Sequence, residues 1–467
     1  MWSQLIVISA VLTLIASRGD NFGKPLFLTI LLERGEYKLA QYLSRVTPEI
    51  GNTTSYSGFF TVNKQCDSHL FFWFFPAQQI DWNDKPLLLW LQGGPGVSSM
   101  YGLFEEIGPF KSYPEGLKKR QYSWNTENNL LFIDQPVGTG YSFTGNNCFP
   151  TSDTAASEEL YQAVLQFHQL FPDFQKNKFF ISGQSYAGHY IPALGHNIHK
   201  YNNRSDVKIN LTAMLIGNGL SDSVTQIDYA SFLYQTGLVD DTGRDIYKSY
   251  QDKFVKQVHD KDWANAINTR NYLLRNLFNE TVGSQVSIYN YLLQSTSKPK
   301  HWYEFIQTSD VRSALQVGNL QFSEFNGDTN NAMSNATIHS VKPWVEELLE
   351  VYPIIFYNGQ LDIICGYPMM INFLRSLSWS GEARYLNATR TKWCVGQDLA
   401  GYYKGVHNLY DVMVRGAGHS VPKDQPLWAY TFVNSITSGT PDNPLHALTR
   451  CSEPGGMSSE QHTEDYE

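Results

Sequence analysis

A serine among small residues is the feature of the sequence best suited to chemistry. Ser185 follows the apolar stretch 179–181, which is typical of the end of a buried strand, and Gly183, Ala187 and Gly188 surround it. The pattern fits a nucleophile elbow, a sharp strand-to-helix turn that lifts a serine hydroxyl clear of a sheet. Small neighbours are needed because such a turn crowds the flanking backbone. An ordinary glycine- and serine-rich turn is the alternative, and Ala187 stands where the simple pattern has glycine.

Two more polar side chains follow strand-like runs late in the chain. Asp362 comes after the apolar run 353–357, and His419 follows the run 409–414 within a glycine-rich loop. Open α/β sheets place active sites at the carboxyl ends of their strands, where all three residues would lie. Each residue alone has a structural explanation. Together, in the order serine, aspartate, histidine, they predict a nucleophile, an orienting acid and a general base.

The elements that must position these side chains alternate between strands and helices. Strands are predicted at 57–62, 69–75, 85–91, 130–134, 179–181, 213–219, 353–357 and, as the last, 409–414, with a helix at 157–171. This alternation predicts an α/β fold with a mostly parallel central sheet covered by helices on both faces and a helical cap insertion. The order serine, aspartate, histidine is similar to that of the α/β-hydrolase fold, which we therefore expect. The predicted domains are a signal peptide (1–17), the first part of the core (18–221), the cap (222–342), the second part of the core (343–450) and a polar tail (451–467).

A Gly-Gly loop follows the predicted strand at 85–91. Gln92, Gly93 and Gly94 open this loop, and glycines allow backbone amides to face open space, as an oxyanion hole requires. A phosphate-binding or purely structural turn is the alternative. A Walker lysine is absent from the sequence, which argues against phosphate.

The net charge and the apolar N-terminal stretch limit the partners and the cellular compartment that the sequence predicts. The net charge of −9 argues against nucleic acid, and the basic run 118–120 is interpreted as a solvated loop. The apolar stretch 5–16 suits a signal-peptide core and no second membrane segment is found, so we expect a secreted or lysosomal protein without a membrane anchor. Six asparagines in glycosylation sequons support this route: Asn52, Asn203, Asn210, Asn279, Asn335 and Asn387.

Five cysteines leave at least one unpaired if every disulfide is internal, and their spacing does not reveal the pairing. No metal-binding motif is recognised. His196 and His199 could share a helix face, but without a carboxylate partner they are interpreted as surface histidines. No cofactor and no metal is therefore expected.

Several motifs resemble the serine carboxypeptidase family. They are WLQGGPG (90–96), DQPVGTGYS (134–142), SYAG (185–188), GNG (217–219) and GAGH (416–419), and they recur in the family's order. The stretches NGQLDII (358–364) and VKPW (341–344) are most similar to the vitellogenic-like carboxypeptidases, and venom serine carboxypeptidases are relatives of the same length class.

The resemblance implies that Ser185 is the nucleophile, His419 the general base and then acid, and Asp362 the group that orients the imidazole. It also implies that the backbone N–H groups of Gly94 and Tyr186 form the oxyanion hole. The substrate would be the C-terminus of a peptide or protein. In the family its free carboxylate is bound at positions that match Gln92, Glu106 and Gln184, to which we add Gly93.

This sequence departs from the usual residues of the family at three positions, and at a fourth it resembles only some relatives. Gln92 lengthens the usual asparagine, and Gln184 replaces a glutamate that must be protonated to donate to a carboxylate. An amide donates at every pH, so we predict an activity that declines less steeply above acid pH than in relatives with both glutamates. Val97 replaces a cysteine of many relatives, and Cys365 resembles a free cysteine of some, which makes it the best candidate for the unpaired thiol.

Other functions remain open to this fold. An acyltransferase would use the same triad with an alcohol in place of water, and a lipase or esterase would use it on another acyl group. A non-catalytic binding or protective homologue is a third alternative. The complete set of Ser185, Asp362 and His419 argues against it, and the replacement at Gln184 keeps it open.

Overall fold

The computed structural model of the protein describes residues 23–295, 299–440, 444–445 and 448–451. The predicted signal peptide (1–17) and the predicted polar tail from 452 onward lie outside the described residues. The described chain divides into two compact units. The first comprises 23–177, 200–210 and 299–334, and the second comprises 178–199, 211–295 and the described residues from 335 onward.

The strands, numbered in chain order, are β1 (Tyr56–Asn63), β2 (Ser68–Phe75), β3 (Leu87–Leu91), β4 (Phe110–Tyr113), β5 (Gly116–Lys119), β6 (Asn129–Ile133), β7 (Phe143–Thr144), β8 (Phe179–Gln184), β9 (Leu211–Gly217), β10 (Val286–Ser287), β11 (Asn290–Gln294), β12 (Ile354–Gly359), β13 (Thr391–Val395), β14 (Asp398–Val406) and β15 (Leu409–Val414).

The α-helices are α1 (Thr29–Glu33), α2 (Tyr37–Ser44), α3 (Asp153–Leu170), α4 (Ala187–Tyr201), α5 (Tyr229–Gln235), α6 (Asp241–His259), α7 (Trp263–Asn271), α8 (His301–Phe305), α9 (Ser309–Leu315), α10 (Gly327–Ala332), α11 (Lys342–Leu349), α12 (Tyr367–Ser376), α13 (Glu382–Asn387), α14 (Val421–Asp424) and α15 (Pro426–Ser438). Single 3₁₀ or π turns lie at Trp82–Asp84, Gly102–Ile107, Trp124–Thr126, Pro172–Gln175, Asn202–Arg204, Tyr272–Leu277, Asn279–Gly283 and Ala336–Ile338. No helix in this part of the chain combines the length and the apolar character that crossing a membrane requires.

The first unit contributes strands in the order β1, β2, β6, β3. The β1–β2 and β2–β6 pairs are antiparallel, and β6 and β3 are parallel. Every residue of β2, β3 and β6 is buried, which agrees with their nearly continuous apolar sequences. Helix α3 begins after Ser152, whose hydroxyl accepts a hydrogen bond from the amide of Ala155, and it ends before Pro172.

The second unit contributes β8, β9, β12 and β15, which are paired in parallel in this order. In register, Gln184 of β8 lies opposite Gly217 of β9, and Gly359 of β12 lies opposite Val414 of β15. The carboxyl ends of these four strands therefore share one edge. This arrangement agrees with the predicted α/β class of mostly parallel central strands flanked by helices.

Three hairpins were absent from the sequence-based prediction. Strand β4 pairs with β5, β13 and β14 form an antiparallel extension beside β15, and β10 pairs with β11 within the predicted cap insertion. The predicted helical character of the insertion agrees with α5, α6 and α7, whose buried side chains form one apolar cluster. The domain boundaries stay a prediction.

Candidate active site

Ser185 occupies a strained turn between β8 and α4. Its backbone φ angle is +62°, a left-handed value that L-residues adopt at a cost of about 1–2 kcal/mol. Hydrogen bonds hold the turn: the Ser185 amide donates to the carbonyl of Gly217 (3.0 Å), and the Ser185 carbonyl accepts from the amides of Gly188 (2.9 Å) and Leu220 (3.0 Å). A Cβ at Gly188 would lie 2.4 Å from the Leu220 carbonyl oxygen, which explains the small residue there. The local geometry is that of a nucleophile elbow.

Asp362 and His419 form a hydrogen-bonded pair. The Nδ1 atom of His419 lies 2.8 Å from Oδ2 of Asp362, and the Asp362 side chain is fully buried. Asp362 also accepts from Nδ2 of Asn218 (2.7 Å) and from the amide of Ile364 (3.1 Å). With the Nδ1 proton held by the carboxylate, Nε2 is the nitrogen that can accept a proton. The pair therefore has the geometry of a general base and its orienting acid.

Asn218 is the residue of this site whose role the sequence did not reveal. Its side chain joins the two neighbouring strand ends, because Nδ2 donates to Asp362 while Oδ1 accepts from the amide of Gly359 (3.2 Å). The available signal was an asparagine between two glycines directly after β9. Its contact partner, however, is 144 residues further along the chain.

Gln184 joins the serine turn to the histidine loop. Nε2 of Gln184 lies 3.3 Å from the hydroxyl of Ser420, so the residue before Ser185 contacts the residue after His419. The Gln184 side chain is only 2% exposed. The second unit thus brings Ser185, Asp362 and His419 to the same edge of the sheet, and their catalytic roles stay predictions.

The predicted Gly-Gly loop follows β3 in the first unit. Gly94 has a φ angle of +113°, and a Cβ there would lie 2.8 Å from the backbone nitrogens of Gly96 and Val97, so the position requires glycine. The carbonyl of Gly93 accepts from the amide of Val97 (3.2 Å), and Oε1 of Gln92 accepts from the indole N–H of Trp90 (3.0 Å). The roles of Gln92, Gly93, Gly94 and Tyr186 stay predictions.

Asp134 anchors this loop from below. Its Oδ1 accepts from the hydroxyl of Ser98 (2.6 Å) and the amide of Ser99 (3.0 Å), and its Oδ2 accepts from the amide of Tyr141 (3.0 Å). Complete burial raises the pKa of Asp134 to about 7, although these donors act in the opposite direction. One carboxyl group therefore fixes the loops that follow β3 and β6.

The interpretation of 118–120 as a solvated loop was wrong for Arg120. Lys118 and Lys119 end β5, but Arg120 is only 4% exposed, and its guanidinium donates to the carbonyls of Phe104 (2.6 Å) and Gly108 (2.8 Å). Burial lowers the pKa of Arg120 to about 10, although the negative charges of Glu105 and Glu106 act in the opposite direction. The buried arginine therefore braces the π turn that carries Glu106, itself 1% exposed.

The disulfide pairing agrees with the prediction that at least one of the five cysteines is unpaired. Cys66 pairs with Cys148 and Cys394 pairs with Cys451, which leaves Cys365 free, as predicted. Burial raises the pKa of the Cys365 thiol well above its usual range.

The six sequon asparagines are all exposed, which is a requirement for glycosylation, and their modification stays a prediction. His196 does have a carboxylate neighbour, contrary to the interpretation from sequence: its Nδ1 lies 3.1 Å from Oε2 of Glu347, and its ring stacks on Trp344. Within the described residues, no group of three or more histidine, cysteine, aspartate or glutamate side chains is arranged to hold a metal ion.

Comparison with known proteins gives one consistent result. The family model described as serine carboxypeptidase matches residues 47–439. The venom serine carboxypeptidase of Apis mellifera is 41% identical over 90% of this chain and 92% of its own length. The vitellogenic carboxypeptidase of Aedes aegypti is 39% identical, and the probable serine carboxypeptidase CPVL of Homo sapiens 38%, each over 90% of this chain and 91% of its own length.

A solved structure supports the same assignment. The crystal structure of Kex1Δp, a prohormone-processing carboxypeptidase from Saccharomyces cerevisiae, superposes with a TM-score of 0.74 at 26% identity, covering 85% of this chain and 96% of that chain. The α/β-hydrolase fold and the enzyme class predicted from the sequence are thereby confirmed. The chain belongs to the serine carboxypeptidase family.

Proposed function

We propose that this protein is a secreted serine carboxypeptidase that releases the C-terminal residue of peptides and proteins through an acyl-enzyme on Ser185. The observation that carries the proposal is the buried Asp362–His419 pair, with its 2.8 Å hydrogen bond, at the strand edge where the Ser185 turn also lies. No cofactor or metal is needed, because the three side chains supply the nucleophile, the base and its orientation.

The proposed reaction has two halves. In the first, Nε2 of His419 takes the proton of the Ser185 hydroxyl as Oγ attacks the last peptide carbonyl, and the protonated imidazole then gives that proton to the departing amino group. In the second, His419 takes a proton from a water molecule as that water attacks the acyl carbon. The imidazolium then gives the proton to Oγ as the bond between the acyl carbon and Oγ breaks, which regenerates Ser185. The amides of Gly94 and Tyr186 are assigned to the oxyanion, and one such donor contributes about 3–4 kcal/mol in comparable sites.

Recognition of the free substrate carboxylate is assigned to Gln92, Gly93, Glu106 and Gln184. Their match to the positions that bind this group in the family supports the assignment. The carboxamide of Gln184 donates a proton at any pH, and its contact with Ser420 (3.3 Å) fixes the side chain beside the histidine loop.

Entry into the secretory pathway is supported by the pairs Cys66–Cys148 and Cys394–Cys451, because disulfides persist in oxidising compartments. The six exposed sequons support the same route, with a lysosomal destination as the alternative. Expression in eukaryotic cells, followed by a mass measurement before and after enzymatic removal of N-glycans, tests this part. An unglycosylated product retained in the cytosol would contradict it.

The activity is tested with two peptides of the same sequence. One ends in a free carboxylate and the other in a carboxamide. We expect efficient release of the terminal residue from the acid and a loss of at least about tenfold in kcat/KM for the amide. The Ser185→Ala variant is the control for contaminating peptidase. Equal rates on both peptides would favour an esterase or another acyl-group hydrolase, and retention of activity in Ser185→Ala would contradict the proposal.

A further inference from the structure

The β10–β11 hairpin of the predicted cap insertion contacts both loops that carry the Asp362–His419 pair. On the acid loop, the amide of Ile363 donates to the carbonyl of Ile288 (3.1 Å), and the amide of Tyr291 donates to the carbonyl of Leu361 (3.1 Å). On the histidine loop, the amide of His419 itself donates to the carbonyl of Tyr289 (2.7 Å). The hairpin therefore braces the backbone on either side of the pair.

Asn290 adds a side-chain connection to the histidine loop. Its side chain is buried, and its Nδ2 lies 3.0 Å from Oδ2 of Asp424 in α14. The same Asp424 oxygen accepts from the amide of Gly418 at 2.7 Å, directly before His419. A Cβ at Gly418 would lie 2.3 Å from the Tyr289 carbonyl oxygen, so the hairpin packs against this glycine without space for a side chain.

The acid loop is also part of the apolar cluster of α5, α6 and α7. Ile363, the residue after Asp362, is one of the buried members of that cluster, and Ile288 and Tyr291 of the hairpin region pack against it. The hairpin thus joins the cluster, the acid loop and the histidine loop in one packed structure. Contacts with the cluster, the acid loop and the histidine loop therefore fix the conformation of the hairpin.

We propose that Asn290 is a positioning residue for His419, acting through Asp424 and the amide of Gly418. The inference rests on the proposed role of His419 as the base. Asp424 is partly accessible to water, so its carboxylate can rotate toward solvent once the Asn290 donor is lost. That rotation releases the Gly418 amide and lets the imidazole leave its position relative to Asp362.

The first test compares Asn290→Ala with Leu293→Ala, a matched control because Leu293 lies on the same hairpin with its side chain 54% exposed. A misplacement of about 1 Å can lower a rate by about 100-fold. We therefore expect Asn290→Ala to lower kcat on a free-acid peptide by about 10- to 100-fold with KM within about twofold of the wild type, and Leu293→Ala to keep the wild-type kcat.

The second test uses Asn290→Asp, which keeps the shape but places a second carboxyl group 3.0 Å from Asp424. Two ionised carboxylates at this distance repel each other, whereas one shared proton restores a hydrogen bond. We expect near wild-type kcat at acid pH and a steeper fall toward neutral pH than in the wild type. The neighbouring titratable or charged groups are Tyr289, the His419 ring that packs on it, and Asp362, which is hydrogen-bonded to His419. The charges of Asp362, Cys365 and Arg275 also act on Tyr289.

An unchanged kcat in Asn290→Ala would overturn the inference. A pH profile for Asn290→Asp parallel to that of the wild type would overturn it as well, because a purely structural defect does not add a pH dependence. An inactive wild-type protein would instead overturn the proposed function.

Discussion

Replacing Asp134 with asparagine is expected to remove a large part of the pH dependence of the protein's stability. Asp134 is completely buried beneath the loop that follows β3, and burial raises its pKa to about 7. In an unfolded chain the pKa of an aspartate is about 3.9. A carboxyl group whose pKa is raised on folding stabilises the folded state fully below the unfolded pKa, and this contribution is lost as the pH rises through the folded pKa.

The size of the effect follows from the two pKa values. Between pH 4 and pH 7, linkage gives a loss of about 3 kcal/mol from this one group. The amide of the Asp134→Asn variant carries no charge at any pH, so this contribution is absent. The variant also loses an acceptor for the Tyr141 amide, which lowers its stability by about 1 kcal/mol at all pH values and does not change the slope.

Urea unfolding of both proteins, followed by tryptophan fluorescence at several pH values from 4 to 7, measures this difference. Glu159 and Asp411 also have pKa values raised by burial and are present in both proteins, so the comparison isolates Asp134. We expect the free energy of unfolding of the wild type, relative to that of the variant, to fall by about 3 kcal/mol over this range. A difference that stays constant with pH would refute the reasoning.

Three further substitutions test other parts of the structure. Asp362→Asn should lower kcat on a free-acid peptide by about 10⁴-fold, because the His419 ring loses the acceptor that fixes its protonation, and a loss below about tenfold would contradict that role. Gln184→Glu should make activity fall more steeply above acid pH, because a buried glutamate must stay protonated to donate; superimposable pH–rate profiles of the two proteins would show this idea to be wrong. Arg120→Met should lower the free energy of unfolding by on the order of 3 kcal/mol, since buried backbone carbonyls lose their donor, and an unchanged urea midpoint would exclude that account.

The buried strands and the placement of Ser185, Asp362 and His419 after strands could be predicted from the sequence because their signals are local. Strands β3 and β6 are short apolar runs, and Ser185, Asp362 and His419 each directly follow or closely succeed such a run. By contrast, β13 and β14 escaped prediction because they lie toward the edge of the sheet and mix polar residues, glycines and aromatics without a regular alternation.

The missed features depend on contacts between distant parts of the chain. A basic run gives no sign that Arg120 turns inward, because its acceptors are backbone carbonyls that only the folded π turn presents. In the same way, Asn218 and Asn290 acquire their roles only when strands and loops more than a hundred residues apart are brought together. Their residue types alone do not identify the groups that they contact.

The central claim is that Ser185 is a nucleophile activated by His419, and labelling with a fluorophosphonate probe followed by peptide mapping tests it most directly. We predict one label per chain, located on Ser185, and loss of labelling in His419→Ala while that variant remains folded by circular dichroism. Labelling of a different serine, or a folded wild-type protein that takes up no label, would contradict the account.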